Sequence, residues 1–232
     1  AASASAGEGG VQVDSLWRGF KKQLFIGIML VIFQQLSGAN VIYFYLTEIL
    51  DKNNVANPEV YSTINMLVQI VFTALSVGLI DQLGRRPLLI ISFAGLMVAM
   101  AGFSSRFLFD VTGVGGTVLS FGSALLFTIA LSVGVGPVPL MILPELFPTS
   151  VRGKASSIAV AIQWLMVFVV TFSFESLVDS IGEAATFGAY SICCLLGLIF
   201  VWLYIPETKG RSLEEINTRK KPVAASLREK SD

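Results

Sequence analysis

An all-α polytopic membrane protein with six transmembrane helices is the architecture expected of this chain, on three grounds. Of its 232 residues 54% are hydrophobic and only 14% charged, whereas a soluble domain carries about 25% charged residues. The apolar residues gather in long runs, and a helix needs about 20 of them to cross the hydrocarbon core. The basic residues cluster between alternate runs, as they do in helical membrane proteins. A transmembrane β-barrel would instead show alternating segments of about ten residues, and the sequence has none.

Residues 1–15, opening "AASASAGEGG", are small and polar with no apolar core. They read as a flexible cytoplasmic linker, not a signal peptide. With no initiator Met, this opening is expected to reach back to a preceding segment. A six-span unit follows over 16–206. Its first span, 24–49, contains "FQQLSGANVIYFY" and so places Gln34, Gln35, Ser37 and Asn40 within a bilayer-crossing stretch. Each uncompensated amide there costs roughly 2–7 kcal/mol. On a regular helix Gln35 and Asn40 point about 140° apart, so the three amides cannot face one ligand. A break at Ser37-Gly38 removes that obstacle, because glycine relaxes the backbone where it lines a cavity.

The second span, 61–80, carries Gln69 and leads through "DQLGRRP" into the third, 87–108, a connection short enough to force a tight hairpin. In the fourth span, 117–143, "GVGPVPLMILP" sets Gly134, Gly136, Pro137, Pro139 and Pro144 in one hydrophobic run. Each proline lacks an amide donor and clashes with the turn before it. Spans interrupted by Gly and Pro point to a binding site near the midplane. The fifth span, 153–174, holds Gln163 and Trp164, and the sixth, 185–205, stops at Pro206. The polar stretches "DKNNVANPE" and "FESLVDSIGEAA" read as outer connections, "PELFPTSVRGKA" as an inner one, and 207–232 as a cytoplasmic tail.

With six spans both termini share a side. That side holds Arg18, Lys21 and Lys22, then Arg85 and Arg86, then Arg152 and Lys154, then the basic tail. Only Lys52 and Arg106 of the 16 Lys and Arg residues remain opposite. The positive-inside rule makes both termini cytoplasmic. The formal net charge of zero points to no nucleic-acid partner.

Histidine is absent, which excludes Ser-His and Cys-His catalysis, His-ligated metals and histidine proton relays. Cys193 and Cys194 are adjacent, and neighbours on a helix do not face each other, so no structural disulfide is expected. Neither an enzymatic activity nor a cofactor or metal is indicated. From the helical rise, Gln35 lies roughly 20 Å from the inner surface, Gln163 and Trp164 roughly 17 Å, and Gln69 roughly 22 Å. Uncharged amides, aromatic faces and interrupted backbone therefore meet at middle depth. Amides donate to and accept from hydroxyls, and no Asp, Glu, Lys or Arg lies mid-span. This chemistry suits a neutral polyhydroxy solute.

In order and spacing, "FQQLSGANVIYFY", "DQLGRRP", "GPVPLMILPELFPTSVRGKA" and "PETKGRSLEE" resemble the C-terminal half of sugar porters, the glucose-transporter-like members of the major facilitator superfamily. The resemblance implies twelve spans in two six-helix halves, each built from two inverted three-helix repeats, rocking about a central sugar site. It implies sugar ligation by Gln34, Gln35, Asn40, Gln69, Gln163 and Trp164. Tyr43, Phe44 and Tyr45 would form an aromatic gate, with Pro137 and Pro139 in the gating break of the fourth span. Asp81, Arg85, Arg86, Glu145, Arg152, Glu207 and Arg211 would form a cytoplasmic ion-pair network. Leu140 stands where many relatives have an aromatic, and Ser132 where glucose facilitators have an acid.

The implied partners are a small-molecule sugar, the lipid bilayer and the N-terminal six-helix half, with the plasma membrane as location. The alternative is a naturally short six-span half acting as a regulatory or dominant-negative partner of full-length carriers.

Overall fold

The computed structural model describes residues 20–52, 55–147 and 149–205. The linker 1–15 and the tail 207–232, with Glu207 and Arg211, lie outside the described residues. Within them the chain is helical, with no strand.

The first span is interrupted where the amide pattern requires it. Helix α1 (Lys21–Leu36) and helix α2 (Ala39–Lys52) are separated by Ser37 and Gly38. Gly38 adopts φ +82°, which glycine reaches without the Cβ clash that opposes other residues. A side chain there would also collide: a Cβ would lie 2.9 Å from Met100 Cε and 3.3 Å from the Tyr190 ring. Gly38→Val is expected to destabilise the fold by about 2–4 kcal/mol from backbone strain and overpacking together. The check is a lower thermal-unfolding midpoint of the purified protein in detergent. An unchanged midpoint would show that the break tolerates a normal backbone.

Helix α3 (Pro58–Leu83) and helix α4 (Arg85–Leu108) meet at Gly84 alone, the tight hairpin expected of "DQLGRRP". Helix α5 (Gly113–Ala130) runs into a π-helical turn (Leu131–Val135), after which Gly136 and Pro137 lead to helix α6 (Val138–Leu146). Only residues 147 and 148 separate α6 from helix α7 (Thr149–Tyr204), so the inner connection over 144–155 is mostly helix and not loop.

Five helical stretches are long and apolar enough to cross a membrane, and the last spans 54 residues, Val151–Tyr204. A straight helix of that length would measure about 80 Å, far beyond a hydrocarbon core of about 30 Å. It does not run straight. Gly182 takes φ 84°, ψ 161°, and the Phe174 and Phe187 rings stand 6.2 Å apart. Thirteen residues of unbroken helix would separate them by roughly 20 Å. The chain therefore reverses at Gly182, making two arms, 149–181 and 183–204. The stretch read as the outer connection "FESLVDSIGEAA" is helical except at that glycine.

Helix α4 packs against the second arm in antiparallel sense, through Ser104 Oγ donating to Ala184 O at 2.7 Å and Ser191 Oγ donating to Met97 O at 2.9 Å. Phe93, Leu96, Met100 and Phe103 of α4 are buried in the main core. A smaller cluster joins Leu24 and Val31 of α1 to Leu143, Phe147, Ala155 and Ala159. Many outward side chains are apolar and exposed, among them Ile70 and Val77 on α3 and Phe168 and Phe172 on α7. Apolar area on this scale requires lipid or protein cover.

Candidate functional site

Two broken helices face each other at the middle of the bundle, and one side chain joins them. Pro139 has no N–H to give the carbonyl four residues earlier, which is that of Val135. Gln34 supplies the missing donor. Its Nε2 donates to Val135 O at 2.8 Å and to Gly136 O at 3.0 Å. At the break between α1 and α2, Ser37 Oγ donates to Gln34 O at 2.7 Å. The Ser37-Gly38 turn brings Asn40 Nδ2 onto Gln35 Oε1, although the two residues diverge on a regular helix.

These groups surround a cavity of about 330 Å³, within the roughly 300–1,000 Å³ of small-molecule pockets. Gln34, Gln35, Asn40, Tyr43, Gln69 and Gln163 all line it, together with Ala39, Thr73, Leu131, Ser132, Gly136 and Pro137. No charged residue contributes to the wall. Gln69 Nε2 donates to Tyr43 Oη at 2.7 Å. Gln34 and Ser132 are buried, and Gln34 Oε1 and Ser132 Oγ have no hydrogen-bond partner among the described residues. Buried polar atoms are seldom left unpaired, and here they adjoin a cavity. The wall offers both donors and acceptors, without formal charge, to a molecule carrying several hydroxyls.

Not every expected residue gathers there. Trp164 is 68% exposed and stands outside the lining, while its neighbour Gln163 is within it. Of the expected gate, Tyr43 and Pro137 border the cavity, Phe44 is exposed and Pro139 is buried outside the wall. Tyr45 packs on Phe174 at 5.0 Å and lines a second cavity of about 290 Å³ beside Glu48, Glu175, Asp179 and Glu183.

At the end of the bundle near the α3–α4 hairpin, Arg85 Nη2 pairs with Glu145 Oε1 at 3.1 Å. Arg86 turns elsewhere, its Nη2 donating to Trp202 O at 2.8 Å, and Arg152 Nε donates to Phe147 O at 3.4 Å. Asp81 is exposed. Thr73 and Ser132 join the wall without having been expected as ligands. Asn65, Gln69 and Thr73 recur every fourth residue on α3, a polar stripe on one helix face that was available as a signal.

An uncharged polar cavity lined by interrupted helices of a polytopic bundle is the arrangement found at the binding sites of membrane transport proteins. The family model described as "Sugar (and other) transporter" matches residues 2–219, and the chain belongs to that family, the sugar porters of the major facilitator superfamily. It is 35% identical over 213 residues to the facilitated trehalose transporter Tret1 of Culex quinquefasciatus, covering 89% of this chain and 41% of that protein. It is 34% identical over 229 residues to mouse solute carrier family 2, facilitated glucose transporter member 8, covering 89% and 48%. Among solved structures, the inward-open xylose transporter XylE from E. coli superposes with a TM-score of 0.76 at 32% identity, over 89% of this chain and 44% of that one. The proton:xylose symporter XylE bound to 6-bromo-6-deoxy-D-glucose does so with a TM-score of 0.77 at 30% identity, over 94% and 48%. The chain thus spans less than half the length of each of these proteins. They are transporters and not enzymes.

Proposed function

We propose that the complete protein moves a hexose or related sugar across a membrane by alternating access, with this chain supplying one half of the sugar site. The observation that carries the reading is the convergence of Gln34, Gln35, Asn40, Gln69 and Gln163 on one uncharged cavity between two interrupted helices. These five amides are the proposed sugar ligands, and Trp164 is not among them. Tyr43 and Pro137 are the proposed gate elements. The Arg85–Glu145 pair is proposed to latch one end of the bundle in one access state, since a part-exposed pair can break and reform at little cost.

The reversal at Gly182 supports six crossings in place of five, with both termini cytoplasmic by the distribution of basic residues. A second six-helix half, preceding this one, is the proposed partner that completes the site, and the plasma membrane is the proposed location.

The test is uptake of radiolabelled sugars by the complete protein in proteoliposomes. Glucose, xylose and trehalose come first, because relatives are named for them. Saturable uptake, competed by neutral sugars and not by sugar phosphates, is expected. Failure of every hexose, pentose and disaccharide to enter saturably would sink the reading.

A further inference from the structure

Behind the cavity wall, Ser92 of α4 is fully buried and makes two hydrogen bonds into another helix. Its Oγ donates to Ala130 O at 2.5 Å and accepts from Val135 N at 2.8 Å. Those two backbone groups flank the π turn, one at each end. The hydroxyl thus bridges the ladder where the turn is widened by one residue, and Gly136 N donating to Leu131 O at 2.7 Å closes the next wide turn. A π turn is an uncommon element that concentrates at functional sites, and an inserted side chain is one of the causes of helix distortion.

Helix α4 is seated closely enough to hold the turn. A Cβ on Gly134 would lie 2.6 Å from Leu88 O and 2.7 Å from Ser92 Cβ. From the other side, Gln34 Nε2 holds the carbonyls of Val135 and Gly136. The turn is therefore clamped between a hydroxyl that never reaches the cavity and an amide that lines it. Three residues of this segment line the cavity, Leu131, Ser132 and Gly136, and the Ser132 Oγ has no partner among the described residues.

We propose that Ser92 is a positioning residue: by bridging Ala130 and Val135 it holds the π turn open, and so determines that Ser132 and Gly136 face the cavity and which solutes the cavity prefers. Without the bridge, closure of the turn to ordinary α-helix removes one residue from the winding. That rotates the residues beyond it by about 100° relative to α5, carrying Gly136 out of the wall and the Val135 carbonyl away from Gln34. The proposal deepens the reading of this cavity as half of a sugar site and rests on that reading for its effect on solute preference.

Two readouts test it in the complete protein. In the first, Ser132→Cys is placed in a background whose other cysteines, including Cys193 and Cys194, are replaced by alanine. Its modification by a membrane-impermeant methanethiosulfonate is timed with Ser92 and with Ser92→Ala. Ser92→Ala is expected to change the rate about fivefold or more, the factor that one hydrogen bond supplies. In the second, the ratio of uptake efficiencies is measured across glucose, its epimers and its monodeoxy analogues. Ser92→Ala is expected to reorder these ratios by about fivefold or more, with Ser92→Thr, which keeps the hydroxyl, retaining the original order.

An unchanged labelling rate overturns the proposal. So does changed labelling with an unaltered order of preference, because Ser92 would then serve packing alone. If the parent protein takes up no sugar saturably, the labelling result decides the role of Ser92 and the sugar reading is what falls. Ser92→Val, compared with Ser92→Thr, which has the same shape and keeps the hydroxyl, carries both measurements if Ser92→Ala does not fold.

Discussion

Replacing Gln35 by leucine is expected to lower the efficiency of saturable sugar uptake by at least about 100-fold while the protein still reaches the membrane. The size follows from what the amide does. Gln35 is only 3% exposed, lines the cavity and accepts Asn40 Nδ2 through its Oε1. Leucine removes the donor and acceptor that would meet sugar hydroxyls and strands the Asn40 amide beside the solute. A net bond is worth about 0.5–1.5 kcal/mol, and each group left unpaired costs about 1–3. Two lost bonds and one stranded amide thus amount to roughly 3 kcal/mol or more, or about 100-fold. Folding should survive, because leucine is of similar length and a membrane interior accepts it. The measurement is initial-rate uptake normalised to surface-labelled protein, with Gln35→Asn as the comparison that keeps an amide. Uptake unchanged in the leucine variant would remove Gln35 from the site.

Much of this arrangement was legible in the residues, and the unread part has a physical cause. The break at Ser37-Gly38 follows from angles alone, since Gln35 and Asn40 cannot converge on a regular helix, and in the fold they hydrogen-bond across that break. The interruption of the fourth span follows from Pro137 and Pro139, which withhold amide donors. Its π form did not follow, because that depends on Ser92, about forty residues earlier in the chain. Contacts of that sequence separation leave no local period to read.

Helical rise gives the relative depth of two residues on one helix, and it does not give their azimuth. Gln163 and Trp164 lie at nearly the same depth, yet they point about 100° apart; one lines the cavity and the other faces outward. Which of two neighbours faces inward is decided by how α7 packs on α1, through Val151, Ala155 and Ala159. The polar stretch 174–185 misled for a related reason. Glu175, Asp179 and Glu183 look like loop residues, but on a helix the first two share a face and gather at a cavity rim with Glu48. Only Gly182 departs from helix there.

The strongest expected effect on the fold itself comes from Gln34→Leu. This change removes no large apolar contact, yet it withdraws the donor shared by the Val135 and Gly136 carbonyls. Stranding a buried acceptor costs about 1–3 kcal/mol, and with the Val135 carbonyl buried and the Gly136 carbonyl only part-buried the loss is roughly 2–4 kcal/mol, a large part of the about 5–15 kcal/mol that holds a typical protein folded. Thermal unfolding at a much lower midpoint and a poor yield of folded protein are expected, beyond any loss of sugar binding. The cause can be separated from a general effect of the substitution. Pro139→Ala restores an N–H opposite the Val135 carbonyl, the group that Gln34 serves because proline cannot. The double variant Gln34→Leu, Pro139→Ala should therefore lose less stability than the sum of the single changes, by about 1 kcal/mol, within the range of couplings between contacting groups. A double-mutant cycle on unfolding midpoints measures this directly. Strict additivity would mean that the Val135 carbonyl does not need the amide, and that Gln34 is in the span for the solute alone.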